Sequence, residues 1–456
     1  MAAQDVQATE PGPVVASGLL LVGGRARCRT HTEDGNRRAR EVLGRILQVR
    51  HLAVMLGAGT SFHLGSPQIR NLNASAIRGY VEEAGGSLSA DAAALLDALV
   101  PDADADLEAL LALLGSGIAY ASRVGLETLS APGGSHHSLD AFRSLATGLN
   151  RALAFACDLP RLAADADAAL SADPLSAHRE FFRRLLRGRR GDLPRARVFT
   201  TNYDLLIELA LDSLRVTYFD GFTGTVDRVF SPRAFDQEVF VPASAGDRRI
   251  LRVEQVLHLY KLHGSVNWRV RAAVNTASSS IVVQVPRGAT SGAAAADERV
   301  LVYPTPYKET DTLAYPYADL FRTFSAVLSE QETALVVVGY SFSDDHLNRM
   351  IYQALQANPT LQLFVIAPYG VLRDEMFSTT CDDTGDEIKC LPSALGRLAA
   401  VHDERISVFT GTDATFENVA RNLMPDPDGF GGGPAQADGT SLGEALLGPP
   451  RTPPDT

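Results

Sequence analysis

Six short apolar runs, separated by stretches of helical periodicity, limit this chain more than any other feature: His51–Gly57 (HLAVMLG), Arg197–Asn202 (RVFTTN), Val256–His263 (VLHLYKLH), Ala334–Tyr340 (ALVVVGY), Leu361–Pro368 (LQLFVIAP) and Ile406–Thr410 (ISVFT). Short strands alternating with helices point to a doubly wound α/β fold with a parallel sheet. Continuous apolar runs such as Leu335–Val338 fit strands covered on both faces. Four of the six end in turns that carry chemistry-bearing side chains. In an open α/β sheet those carboxyl ends are where ligands bind.

The first turn follows HLAVML. Gly57, Ala58, Gly59, Thr60 and Ser61 offer glycines, exposed amides and hydroxyls of the kind that hold a pyrophosphate. Phe62 stands where the ordinary dinucleotide fingerprint has its third glycine, and no Gly-Lys-Ser/Thr follows, which disfavours a Walker-type ATPase. The second turn is Thr200-Thr201-Asn202-Tyr203-Asp204, with helix capping as its plain structural use. The third, Lys261-Leu262-His263-Gly264-Ser265, places a histidine at a strand tip, suited to moving a proton near neutral pH. The fourth, from Gly339 to His346 (GYSFSDDH), supplies hydroxyls and carboxylates ahead of a helix.

Between the first two strands, residues 69–190 read as an Ala- and Leu-rich helical insertion, with clear stretches at Leu107–Leu114 and Pro174–Leu186. Residues 215–330 carry shorter elements and an expected surface loop at Thr276–Asp297. Residues 1–40 read as a flexible arm. The segment 424–456, rich in Pro, Gly and Asp, reads as a disordered tail. The domain proper is expected to span 41–423.

A net charge of −12 argues against a nucleic-acid-coating protein, which needs a broad basic surface. Neither a signal peptide nor a membrane-spanning run is evident, which makes the cytoplasm the default expectation. Four cysteines, Cys28, Cys157, Cys381 and Cys390, include no C-x-x-C pair, so no structural metal site is expected.

Taken together, GAGTS, TTNYD, LHGS, GYSFSDDHLN and the closing LFVIAPY and FTGTDATFENV resemble the sirtuin-like superfamily over roughly Arg50 to Asn422. The resemblance implies a Rossmann-like domain that uses NAD, with Asn202 and His263 as catalytic residues. Gly57, Ala58, Gly59, Thr60, Ser61, Asp204, Gly339, Ser341 and Asp413 would be the nucleotide contacts. Sirtuin deacetylases carry a four-cysteine zinc ribbon after the His-Gly strand, and Val266–Glu332 holds no cysteine. That departure counts against protein deacylation, and the presence of both Asn202 and His263 counts against mere nucleotide sensing, so the resemblance implies NAD hydrolysis to nicotinamide and ADP-ribose. The TTNYD tyrosine and the GYSF spelling are closer to bacterial antiphage effectors, which implies a homo-oligomer, in some relatives paired with a HerA-type ATPase, and no metal.

Overall fold

The computed structural model describes residues 19–23, 25–29, 33–65, 74–100, 107–158, 173–243, 249–272, 280–286, 315–368 and 393–426. Its centre is a nine-stranded sheet. The strands are β1 (Leu19–Val22), β2 (Arg25–Arg29), β3 (His51–Leu56), β4 (Arg197–Thr200), β5 (Thr217–Phe219), β6 (Val256–Lys261), β7 (Thr333–Val338), β8 (Gln362–Ala367) and β9 (Ile406–Thr410). Their spatial order is β2-β1-β9-β8-β7-β3-β4-β6-β5. From β9 to β5 all neighbours are parallel, while β1 and β2 join one edge antiparallel. The chain leaves β3 to one side through β4 and β6 and returns on the other side as β7. The topological switch point therefore lies between β3 and β7.

Alternation along each strand builds a core on both faces. Ala53, Met55, Phe199, Tyr260, Leu335, Val337, Leu363, Val365 and Val408 point one way. There they meet α8 (Tyr317–Ser329), α9 (Asp345–Ala357) and α10 (Ser393–Ala400). Leu52, Val54, Leu56, Val198, Leu259, Val336, Phe364 and Phe409 point the other way. They meet α1 (Glu33–Ile46), α6 (Ser176–Arg187), α7 (Leu206–Ser213) and the closing turns around Phe416 and Val419. Both faces of these strands are apolar because both are covered.

The helical insertion is formed by α2 (Ala74–Glu83), α3 (Ala90–Leu99), α4 (Leu107–Val124) and α5 (Leu139–Ala156), with a small hairpin at Thr128–Ser130 and His136–Ser138. It has a core of its own, which takes in Tyr203 and Val266 from beyond the tips of β4 and β6. The insertion is thereby seated on the carboxyl rim of the sheet.

Two expectations need correction. Within the expected arm, residues 19–23, 25–29 and 33–40 belong to the fold: Leu20 and Leu21 are buried where β1 pairs with β9, and α1 begins at Glu33. A four-residue apolar run is too short to show a period, yet long enough to close a sheet edge. The expected loop at Thr276–Asp297 contains a strand, Ser280–Gln284, which pairs with Trp268–Ala272 and Arg228–Phe230 in a small antiparallel sheet. Phe222, Phe230 and Trp268 hold that sheet, with the Phe222 and Trp268 rings 5.1 Å apart. Two of the arginines between 183 and 197 tie this region to the sheet. Arg189 donates to the carbonyls of Leu47, Val49 and Pro194, and Arg195 pairs with Glu238. The other residues of the expected tail, beyond Asp426, lie outside the described residues, but Met424 is buried against α6 and its neighbours. No helix among the described residues is long and apolar enough to cross a membrane.

Candidate functional site

Register brings the four turns together. Val338 of β7 is level with Leu56 of β3, Leu56 with Thr200 of β4, and Thr200 with Lys261 of β6. The segments that follow, at Gly339, Gly57, Thr201 and Leu262, leave the sheet from one row. Loops from adjacent parallel strands start about 4.8 Å apart. Asn202, Asp204, His263 and the glycine turns thus share one rim.

At the switch point two turns interlock through bare backbone. Gly57 N–H donates to the Val338 carbonyl and Gly59 N–H to the Gly339 carbonyl, at 3.0 and 2.8 Å. A Cβ on Gly57 would lie 2.5 Å from the Cα of Tyr340, and one on Gly339 would lie 2.7 Å from the Thr60 nitrogen. Gly339 also has φ of +65°, which favours glycine. These glycines are required by each other, whatever binds above them.

Their neighbours differ from the sequence expectation. The amides of Thr60 and Ser61 close short turns onto the Gly57 and Ala58 carbonyls, so they are not open donors for a pyrophosphate. Their hydroxyls are also committed. Thr60 Oγ1 donates to the Gly57 carbonyl at 2.8 Å, and Ser61 Oγ donates to Asp204 Oδ2 at 2.8 Å. Each hydroxyl has spent its proton and can only accept, so the group facing both must be a donor. That group is Asn202 Nδ2, 3.1 Å from Thr60 Oγ1 and 3.3 Å from Ser61 Oγ. The amide orientation of Asn202 follows from this network. Its Oδ1 is buried and has no hydrogen-bond partner. An unpartnered buried acceptor is costly, and one held fast at a strand-tip rim is a ready contact for a hydroxyl or a water.

Asp204 supports this arrangement. Its second oxygen, Oδ1, accepts from the Leu206 amide at the start of α7, 3.0 Å away. Lys261 donates to the Asp204 carbonyl and to Glu208 Oε1, the latter at 2.8 Å. Burial pushes the Glu208 carboxyl up from its ordinary range, against the pull of Lys261.

His263, nearly buried, lies just beyond β6, with its Nε2 3.2 Å from Asp344 Oδ2. Asp344 is the N-cap of α9, and its Oδ1 accepts from the amides of His346 and Leu347 at 2.9 and 3.2 Å. A carboxylate so placed only accepts, so the shared proton belongs to Nε2 and Nδ1 is left bare. Among the described residues no partner meets Nδ1. The turn that delivers Asp344 is held in an unusual shape: Phe342 has φ of +53°, and Asn348 Nδ2 donates to its carbonyl at 2.7 Å. Asp344 is a candidate site residue that the sequence reading took only as one of the carboxylates ahead of a helix. The Asp-Asp-His spelling after a glycine-serine turn was its only signal.

The remaining expected contacts are spread out. Ala58 is exposed on the first turn, and Ser341 is exposed with its hydroxyl 2.7 Å from that of Ser343. Asp413 follows β9, three strands from β3, and accepts from Asn36 Nδ2 at 3.3 Å. It is not part of the Asn202–His263 cluster. Among the described residues no three His, Cys, Asp or Glu side chains are gathered to hold a metal.

These features can be set beside known proteins. No curated protein matches the chain. Among solved structures, a Sir2 homologue mutant in complex with 2'-O-acetyl ADP ribose is 14% identical, with 84% of this chain and 94% of that chain covered, at a TM-score of 0.35. A Sir2 enzyme studied for mechanism and regulation is 16% identical, with 73% and 85% covered, at a TM-score of 0.28. Residues 196–384, which carry the Asn202, His263 and Asp344 turns, match the family model of the SIR2-like domain.

Proposed function

We propose that this rim binds NAD and hydrolyses its nicotinamide–ribose bond. The observation that carries the reading is the pairing of an oriented, unpartnered acceptor, Asn202 Oδ1, with a histidine whose Nε2 is tied to Asp344. The glycosidic C–N bond breaks, its electron pair returns to the ring nitrogen, and nicotinamide leaves neutral. Water forms the new C–O bond on the ribose and gives up a proton. Asn202 Oδ1 orients that water or a ribose hydroxyl. His263 Nδ1 takes the proton, and Asp344 stabilises the imidazolium so formed. Asp204 acts indirectly, by fixing the Ser61 hydroxyl on which Asn202 rests. The exposed Ala58 and Ser341 turns flank the switch point, where the pyrophosphate would lie. Asp413 would serve the far, adenosine end.

The biological setting in this reading is NAD depletion during antiphage defence in the cytoplasm. Activity would be gated by homo-oligomeric assembly or by a partner such as a HerA-type ATPase. The helical insertion, exposing Leu113, Tyr120 and Val124 along α4, is the contact surface in this reading.

The test is to incubate the protein with NAD and follow nicotinamide and ADP-ribose, with and without an acylated-lysine peptide. Release from NAD and water alone supports the hydrolase. Release only with the peptide would replace it with a deacylase.

A further inference from the structure

A second cluster of nucleophile, base and carboxylate lies on the helical insertion, away from the strand-tip rim. His137 follows the turn Pro132–Gly134 and is buried, with 6% of its surface exposed. Its Nδ1 is 2.7 Å from Asp91 Oδ1 in the first turn of α3. Its Nε2 is 3.0 Å from the hydroxyl of Ser135, which is exposed. The carboxylate only accepts, so the ring proton sits on Nδ1 and the bare Nε2 accepts from Ser135 Oγ–H. This is the order of contacts, carboxylate to Nδ1 and Nε2 to serine, that activates a serine nucleophile wherever it is built, on unrelated folds.

A purely structural use explains half of the cluster. Asp91 Oδ2 accepts from both the amide and the hydroxyl of Ser138 at 3.1 and 2.7 Å, and Ser138 caps α5. Those bonds alone staple α3 to α5. They need neither His137 nor Ser135, yet both are present and aligned through the other carboxylate oxygen. The approach to Ser135 is also open. Gly133 and Gly134 have φ of +82° and +81°, and a Cβ on either would meet nothing within 4 Å. Gly134 N–H is used, donating to the Ala131 carbonyl at 3.1 Å.

We propose that Ser135, His137 and Asp91 form a second nucleophilic site, which accepts acyl groups from small activated esters. Ser135 Oγ attacks the acyl carbon as its proton passes to His137 Nε2. The alkoxide leaves with that proton. Water then adds to the acyl-serine carbon, gives a proton to Nε2, and the carboxylic acid departs as Ser135 regains its proton. Asp91 is a positioning residue that holds His137 in the required tautomer.

The full-length protein is treated with a fluorophosphonate, whose phosphorus is attacked by an activated serine with loss of fluoride, and the adduct is mapped by peptide mass spectrometry. The expected result is one adduct at Ser135, absent in Ser135→Ala and formed at least about a hundredfold more slowly in His137→Ala. Asp91→Asn should also slow it, and the two losses should not add in the double variant, which a merely structural Asp91 would not produce. Ser135→Ala leaves the Asp91–Ser138 staple intact and should melt as wild type does, so its loss of labelling cannot be assigned to unfolding. No adduct on wild-type protein overturns the proposal, and so does labelling of Ser135 at a rate indifferent to His137. NAD cleavage should be unchanged in Ser135→Ala, which keeps this test separate from that of the strand-tip site.

Discussion

His263 Nε2 lies 3.2 Å from Asp344 Oδ2, joining the tip of β6 to the N-cap of a helix 81 residues further along the chain. The same carboxylate caps α9 through its other oxygen. One side chain therefore sets the direction of a helix and the tautomer of the histidine.

Asp344→Asn separates those two tasks. Asparagine is as good an N-cap as aspartate, so folding stability should change by less than about 1 kcal/mol. The neutral amide cannot stabilise a developing imidazolium, and NAD cleavage should fall by about a hundredfold to ten-thousandfold, mainly in kcat. Urea unfolding and steady-state kinetics on the same preparation check both halves.

Gly57→Ala should be structural in effect. The added methyl would lie 2.6 Å from the Gly339 carbonyl oxygen and closer still to Tyr340, against backbone that cannot move aside cheaply. A loss of stability above about 2 kcal/mol is expected, seen as a lower urea midpoint even without NAD. A variant of wild-type stability that merely binds NAD poorly would show that the glycine serves the ligand and not the interlock.

Acid should weaken the fold through His178. It is fully buried against Phe416 and His63, and burial holds its pKa at about 3 against an ordinary 6.5. The folded state resists a proton that the unfolded chain accepts. Stability is therefore complete above pH 6.5 and lost as pH falls toward 3, by about 1.4 kcal/mol per unit. Between pH 7 and pH 5 this residue alone should cost about 2 kcal/mol. His178→Phe, measured by urea unfolding at both pH values, should lose correspondingly less.

Assembly gives a further check. Light scattering at micromolar concentration should show a homo-oligomer, and NAD cleavage should depend on that assembly or on a partner. A monomer fully active on NAD alone would remove the gating part of the proposal.

The sheet was legible because its central strands are buried on both faces, so each one is an unbroken apolar run. All six expected strands are present within two residues of their expected ends. The edges were not legible. Leu19–Val22 and Thr217–Phe219 are too short for a period and gain their stability from a neighbouring strand. For the site, spelling placed Asn202, Asp204 and His263 at strand tips, and the structure brings them to one rim. What a linear reading could not give was the direction of each bond. Thr60 and Ser61 look like open phosphate ligands until their hydroxyl protons are traced to Gly57 and Asp204. Asp344 looks like a cap until a distant histidine is seen on its other oxygen. Tyr203, beside two chemistry-bearing residues, is buried in the core of the insertion.

The most direct measurement is nicotinamide release from NAD by the wild-type protein beside Asn202→Ala and His263→Ala, at one protein concentration and with no peptide present. The expected result is release by the wild type, with each variant slower by at least about a hundredfold while its melting temperature stays within a few degrees. Well-folded variants that release nicotinamide at the wild-type rate would contradict the assignment of this rim as the site of NAD cleavage.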